Sequence, residues 1–251
     1  MRTETEGIVL RQFKTVNGRR MVLLFSKKYG KISAGTSIGE RGKNRTTLAL
    51  SPFTHGRYEL YRGRETHHIN GAEVVKAYYK IGEDVEKYMN ASCALEFADK
   101  LLPEELPAPE IFALLLEFFE IMETREKKQT TPAIAFQWKA MQAAGSAPEL
   151  NACVRCRSKE ALTAFSVNDG GMVCVACQNN VMPGSDDALI CVSGFDIIDV
   201  LKYFFENPLR SVRSIALNEA VERECQVILK AYRARHFNIG ALKSESFLKE
   251  V

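Results

Sequence analysis

Histidine occurs only four times in these 251 residues and tryptophan once, and the familiar catalytic arrangements are missing. Neither H-E-x-x-H nor G-x-S-x-G is present, so zinc proteases and α/β-hydrolases lose their motif signatures. Around Gly42-Lys43-Asn44 the chain superficially looks like a phosphate-binding loop. Ser37 stands where that motif needs glycine and Asn44 where it needs Ser or Thr, which excludes nucleotide binding by that device. The paired carboxylates Glu104-Glu105 and Asp186-Asp187 fall in expected loops and read as solvated surface. A non-enzyme is the expectation. Long apolar runs are also missing: the most apolar, IFALLLEFFEIM, is short and carries Glu117, so it reads as core. The start, MRTETEGIVLRQF, lacks the basic-then-apolar pattern of a secretory leader. A cytoplasmic protein with reduced thiols is expected, and disulfides are not.

Acidic side chains are scarce at one end. Residues 1–80 hold sixteen Lys/Arg against six Asp/Glu, whereas residues 81–251 hold eighteen against twenty-five. Such asymmetry produces a field that draws polyanions to the basic part, the bland alternative being a solvated surface with no partner.

What is present divides the same way. EGIVLRQF and RRMVLLFS are apolar, β-branched or aromatic runs separated by Asn17-Gly18, a pair suited to a tight hairpin. Tyr29-Gly30 ends the second run and KISAGTS begins a third. Gly35, Gly39 and Gly42 punctuate a basic loop, and strand character returns after Pro52 in GRYELYRGRETHHI. Short strands broken by glycine predict a small barrel. Near Gly82 the period changes to that of helices, with Val85, Tyr88, Met89, Ala91 and Leu95 at helical spacing. Pro109 is placed to open the next helix, which runs to about Arg125, and a further helix ends at Gly145. SGFDIIDVLKYFFEN and NEAVERECQVILKAYRARHF follow, with Ser193 and Asn218 as N-caps. The chain thus reads as α+β: a β module over 1–80 and a helical domain over 81–251, carrying an insert at 150–180.

That insert contains Cys153, Cys156, Cys174 and Cys177 in the spacing C-x2-C-x17-C-x2-C. Two such pairs, folded together by the turn at Asp169-Gly170-Gly171, match a tetrahedral zinc site. Four cysteine ligands leave no vacant position for water, so one structural Zn²⁺ per chain is expected, with Arg155, Arg157 and Lys159 offsetting its negative charge. Cys93, Cys191 and Cys225 lie in or near apolar helical stretches and read as small core residues.

The remaining candidates are cations. Arg11, Lys14, Arg19 and Arg20 flank the first hairpin, and Lys27, Lys28 and Lys31 the next turn. Arg41, Lys43 and Arg45 ride the glycine-punctuated loop, while Arg62 and Arg64 share one face of a strand. With Phe13, Phe25, Tyr29, Phe53, Tyr58 and Tyr61 interspersed, these residues suggest a groove where cations meet phosphates and some rings stack on bases. For Phe25 core packing is the better reading, and Tyr29 or Tyr61 is the better candidate for exposure.

The order of features resembles one family. A β module beginning TEGIVLR, the YGK turn, a basic loop before SPF, YRGR, a helical domain, a four-cysteine insert with Gly-Gly before its second pair, and a terminal LKSESFL are similar to RecO proteins, bacterial mediators of DNA repair and recombination. The resemblance spans essentially the whole chain. It implies an N-terminal OB-fold barrel, a C-terminal all-helical domain and an inserted zinc finger. It also implies binding of single- and double-stranded DNA and annealing of complementary strands. With RecR, such proteins help load recombinase onto strands coated by single-strand-DNA-binding protein, whose acidic C-terminal tail the helical domain binds in some relatives. A cytoplasmic, nucleoid-associated location follows. Many relatives carry acidic residues in the first hairpin, where this chain has Asn17-Gly18-Arg19-Arg20. Arg125, Lys127, Lys128 and Lys139 lie on or beside the right kind of helix for tail binding, but ordinary surface charge is the favoured reading. The alternatives are a zinc-braced protein–protein adaptor with incidental DNA contact and, more remotely, a zinc-dependent hydrolase.

Overall fold

The computed structural model describes residues 2–39, 45–63, 66–180, 189–191 and 195–246. They form two compact units, Met1–Arg125 with Lys243–Val251, and Glu126–Leu242. The expected change near residue 80 falls inside the first unit, because the helices that follow the strands pack on the barrel.

In that unit β1 (Arg2–Lys14), β2 (Arg20–Ser26), β3 (Gly30–Thr36), β4 (Thr54–Arg62) and β5 (His67–Ala77) close into a barrel of order β1-β2-β3-β5-β4. Neighbours run antiparallel except β3 and β5, which are parallel. A five-stranded closure of this kind is the OB-fold. Val22 and Leu24 of β2 point into the barrel with Val9, Ile32, Tyr58 and Leu60. Phe25, next along the strand, is also buried, but against a helix, where it meets Phe112 edge-on at 5.3 Å. Cover on both faces explains the unbroken run MVLLF, since a half-exposed strand would alternate. Phe53 also meets Phe119 edge-on at 5.9 Å, and Tyr78 packs on Phe119 at a tilt, 5.4 Å away.

The first hairpin forms at the expected place, but only Gly18 takes a positive φ, +72°. Thr15 N–H bonds Arg19 O and Gly18 N–H bonds Thr15 O, so the turn is longer than a two-residue Asn-Gly loop. A short helix that the sequence pattern did not suggest, α1 (Arg45–Ala49), precedes β4. Tyr58 Oη donates to Ala49 O and Gln12 Nε2 to Leu50 O, fixing this segment to the barrel. The run after Pro52 is two strands, not one: it breaks at Gly63, whose N–H bonds Thr66 O at 2.9 Å.

After α2 (Tyr79–Gly82), α3 (Val85–Leu101) begins under an Asp84 cap that accepts from Lys87 N at 2.8 Å. Pro109 opens α4 (Pro109–Thr124). The terminal LKSES segment returns to this unit. Glu96 of α3 accepts from the backbone N–H groups of Lys243 and Ser244, both at 2.9 Å.

The second unit contains α5 (Thr130–Ala143), β6 (Leu162–Ser166), β7 (Gly171–Cys174), α6 (Val175–Asn179), β8 (Leu189–Cys191), α7 (Phe195–Glu206), a 3-10 turn (Leu209–Ser214) and α8 (Glu219–Phe237). Trp138 is its buried centre, 5.2 Å from the Tyr232 ring and 5.8 Å from Phe205. Asn218 caps α8 by accepting from Val221 N at 2.9 Å; Ser193 lies outside the described residues. Among the described residues no helix is long and apolar enough to cross a membrane.

Candidate metal centre and nucleic-acid interface

The insert places Cys153 and Cys156 in a turn before β6, Cys174 at the end of β7 and Cys177 on α6. Local backbone bonding shapes the first knuckle: Cys153 N–H bonds Ser158 O at 2.7 Å and Arg157 N–H bonds Cys153 O at 2.9 Å. The second pair is folded back by the β6–β7 hairpin. Gly170 there has φ +75°, and a Cβ on Gly171 would lie 2.5 Å from Glu149 O, so this Gly-Gly pair is a steric requirement. The four Sγ atoms lie within 4.8 Å of one another, with Cys156 and Cys174 3.5 Å apart.

Around them Cys153, Val173 and Cys174 form an apolar cluster with Val154, Leu162 and Cys177 packed alongside. An ion that ties the four sulfurs together would add folding free energy to this cluster. Cys153 resists ionisation through desolvation. Even so, N–H groups of Cys156, Cys174 and Arg155 donate to its sulfur and bring its pKa down to about 6. Cys177 is pushed up to about 12, first by its hydrogen bond with Cys156 and then by desolvation and the other thiols. The Cys153 thiolate thus forms readily while Cys177 resists, a conflict that a divalent cation removes. The donor set is all sulfur, and four such donors suffice for a tetrahedral site. Arg155 spends its charge on Asp169, at 2.9 Å, and Arg157 approaches Glu149 at 3.6 Å.

The barrel cations fall into three groups. Arg11 and Lys31 converge on Asp99 of α3: Arg11 Nε stands 2.9 Å from Oδ2, and Lys31 Nζ donates to the Asp99 carbonyl at 2.6 Å. A second group surrounds the β2–β3 turn. Lys27 lies 3.4 Å from Glu6, Lys28 donates to Thr3 Oγ1 at 3.2 Å, and Arg62 sits 3.8 Å from Glu105. The third is at the first hairpin, where Lys14 pairs with Arg20 across the strands. Arg20 donates to Gln12 Oε1 and, at 2.6 Å, to Ile38 O. Arg19 is exposed, and its guanidinium makes no bond or ion pair with any described residue. Arg41, Lys43 and Arg64 lie outside the described residues. Arg45 opens α1, but its side chain is outside them as well.

Of the rings, Phe25, Phe53 and Tyr58 are buried, and Tyr61 is exposed. Tyr29 is half-buried and bonded to Thr3 Oγ1 at 2.8 Å. Arg11 lies over Phe13, 5.1 Å from its centroid. Cys93 and Cys225 are buried, whereas the Cys191 side chain is outside the described residues. Arg125 is buried, and Lys139 donates to Phe204 O and Asn207 O at 2.8 and 2.7 Å, closing the end of α7.

One feature escaped the reading of the sequence. His67 and His68 do face opposite ways: His67 is buried, while His68 is exposed in a cleft of about 610 Å³ beside the first hairpin. Met21, Gly35 and His68 form a single row across β2, β3 and β5. The row joins residues from three strands, so no local motif signals it.

A family model described as recombination protein O, N terminal, matches residues 1–78, and its C-terminal counterpart matches residues 82–246. A protein named DNA repair protein RecO from Thermoanaerobacter sp. (strain X514) is 25% identical over 248 residues, 99% of this chain and 97% of its own. The protein of that name from Desulforudis audaxviator (strain MP104C) is 29% identical over 249 residues, 99% and 96% of the two chains. In the Exiguobacterium sibiricum protein of that name the identity is 32% over 171 residues, 68% of each.

Proposed function

Because the chain belongs to the recombination protein O family of DNA repair proteins, we propose that it is a non-catalytic mediator that binds single- and double-stranded DNA and anneals complementary strands. The observation that carries this reading is the closed OB-type barrel bearing the cationic excess of the chain. Two complementary strands repel through their phosphates. Lys and Arg that occupy those phosphates release counterions and lower the repulsion, so that pairing can nucleate. Arg19 and Arg20, the Lys27–Lys28 turn and Arg62 are the described contributors, to which Lys14, Arg41, Lys43, Arg45 and Arg64 add charge. Arg11 and Lys31 are better explained by their grip on Asp99.

The four cysteines fit one structural Zn²⁺. When bound, the ion supplies a tetrahedral crosslink, worth on the order of 10–16 kcal/mol in small zinc modules. The residues Cys153, Cys156, Cys174 and Cys177 do the holding, and the reading assigns them no step in annealing. Work with RecR, and capture of the acidic tail of single-strand-DNA-binding protein, are part of the proposal. In support of the second, an apolar pocket of about 420 Å³ lined by Val200, Tyr203, Phe204, Ile215 and Leu217 adjoins the turn that carries the exposed Arg210 and Arg213. We place the protein in the bacterial cytoplasm at the nucleoid.

The test is a salt-titrated annealing assay, with and without the single-strand-DNA-binding protein, on zinc-replete and chelated samples. If about six to eight phosphates of a single strand are held, log affinity falls against log salt with a slope of about −4 to −6. Affinity that ignores salt refutes the reading. So does a metal with an exchangeable water ligand. Partner complexes that survive the loss of all DNA binding, with repair function intact, favour the adaptor.

A further inference from the structure

The cleft beside the first hairpin has the parts of a site for one nucleotide. Its floor is the row Met21, Gly35 and His68. Gly35 is bare, and a Cβ there would lie 3.0 Å from His68 Nδ1, so the ring could keep this position only by giving way slightly. The imidazole therefore lies against naked backbone beside a thioether, and Thr66 Oγ1, 3.3 Å from Nε2, holds the ring in place. An exposed imidazole and a polarisable sulfur suit a flat, partly apolar body.

The wall differs in character. Arg20 is tied to Gln12 and the Ile38 carbonyl and so is a fixed post. Arg19, also lining the cleft, keeps its guanidinium free of described partners. Thr15, whose Oγ1 accepts from Arg19 N, and Ser37 complete the rim. An anion for Arg19, hydrogen bonds for the hydroxyls and a planar face for the floor together describe a nucleoside phosphate. The volume of about 610 Å³ lies within the ~300–1,000 Å³ of small-ligand sites.

We propose that this cleft seats a single unpaired nucleotide, its phosphate on Arg19 and its base against His68 and Met21. The inference rests on the DNA-binding reading and gives it a selectivity. A base held in a duplex cannot splay onto the floor, so the cleft distinguishes single strands from double strands. The same chemistry could come from a nucleotide within a strand or from a free one.

Affinities of wild type, His68→Ala, Gly35→Ala and Arg19→Ala for a labelled oligothymidylate and for a duplex of equal length separate the cases, with circular dichroism confirming each fold. His68→Ala should weaken single-strand binding about tenfold, leaving the salt slope and the duplex affinity alone. Arg19→Ala should reduce the single-strand slope by about 0.7. Thymidine monophosphate should shift the His68 ring resonances of the intact protein, identified by their loss in His68→Ala, and inorganic phosphate should not. A shift with the oligonucleotide alone keeps the seat and assigns it to strand nucleotides. Unchanged single-strand binding in both His68→Ala and Arg19→Ala overturns the seat while DNA binding stands. Equal shifts with inorganic phosphate reduce the cleft to an anion site and overturn it too. Displacement by an acidic peptide but not by the nucleotide assigns the cleft to a protein and sinks the proposal. Absence of binding to any oligonucleotide by wild type removes the underlying DNA-binding reading itself.

Discussion

Replacing Lys31 by alanine tests whether a cation in the basic barrel serves DNA or the fold. Its side chain is only 12% exposed, with Nζ 2.6 Å from the Asp99 carbonyl and 3.5 Å from Oδ1. A hydrogen bond from a charged donor contributes about 1.5–3 kcal/mol. The Asp99 carboxylate would not be orphaned, because Arg11 remains 2.9 Å away, so the lower half of that range applies. We expect a loss of about 2 kcal/mol, a melting temperature lower by about 4–8 °C, and no change in the salt slope of DNA binding. Arg19→Ala is the mirror image, with stability held and the slope reduced by about 0.7, the value for one single-strand phosphate. Urea denaturation followed by anisotropy titrations over about 50–300 mM salt measures both quantities on the same samples. If Lys31→Ala leaves stability intact and removes about 0.7 from the slope, Lys31 is a phosphate ligand and the clamp on α3 is misassigned.

Gly30 has φ +70° and a Cβ there would lie 2.0 Å from Leu106 O, whereas Gly18, at φ +72°, has nothing within 4 Å. Gly18→Ala should therefore cost only the left-handed penalty of about 1–2 kcal/mol. Gly30→Ala should cost clearly more in the same melt, because it also disturbs the Glu105 N–H to Lys31 O bond; equal losses would refute this. His55 and His67 are buried, and burial holds both below the ordinary imidazole pKa. The unfolded chain then takes up protons that the folded barrel refuses. Stability should be full above about pH 6.5 and fall below it, by at most ~1.4 kcal/mol per pH unit for each histidine. Denaturation at stepped pH should show that fall, flattened in His55→Gln; a level wild-type profile contradicts it. Glu96→Gln keeps the shape of an acceptor but loses the charge that Lys243 and Ser244 N–H groups face. It should loosen the C-terminal segment, read as faster proteolysis there, with DNA affinity unchanged.

Local chemistry made part of this legible. Cysteine spacing, the Asp169-Gly170-Gly171 turn, the Pro109 helix start and the Asn218 cap act over a few residues, and each stands where the sequence places it. The run MVLLF gave a strand with Phe25 packed in the core, though not that α4 covers its second face through Phe112. Beyond that range the sequence pattern gave nothing. Arg11 and Asp99 are 88 residues apart in the chain, and Ser244 reaches Glu96 across 148. The break between β4 and β5 at Gly63 escaped because both sides carry the same β-forming residues. The cleft at His68 escaped because its floor is assembled by strand pairing, which brings Met21, Gly35 and His68 side by side.

Charge count and contact count then become separate quantities. Residues 1–80 hold sixteen cations, yet Arg11 and Lys31 face Asp99, Lys27 faces Glu6, and Arg62 faces Glu105. A paired cation still enters the net charge that sets the long-range field, but it must first break its pair to hold a phosphate. Under the proposed function, the association rate should follow the net excess of positive charge, and the equilibrium salt slope should follow the free cations. Asp99→Asn separates them, because it raises the net charge by one while the amide oxygen still accepts from Arg11 and the backbone carbonyl still holds Lys31. It should speed association at low salt while leaving the slope unchanged. A slope that steepens by about 0.7 would mean that the released Arg11 or Lys31 reaches the strand, and the division between fold cations and DNA cations would fall.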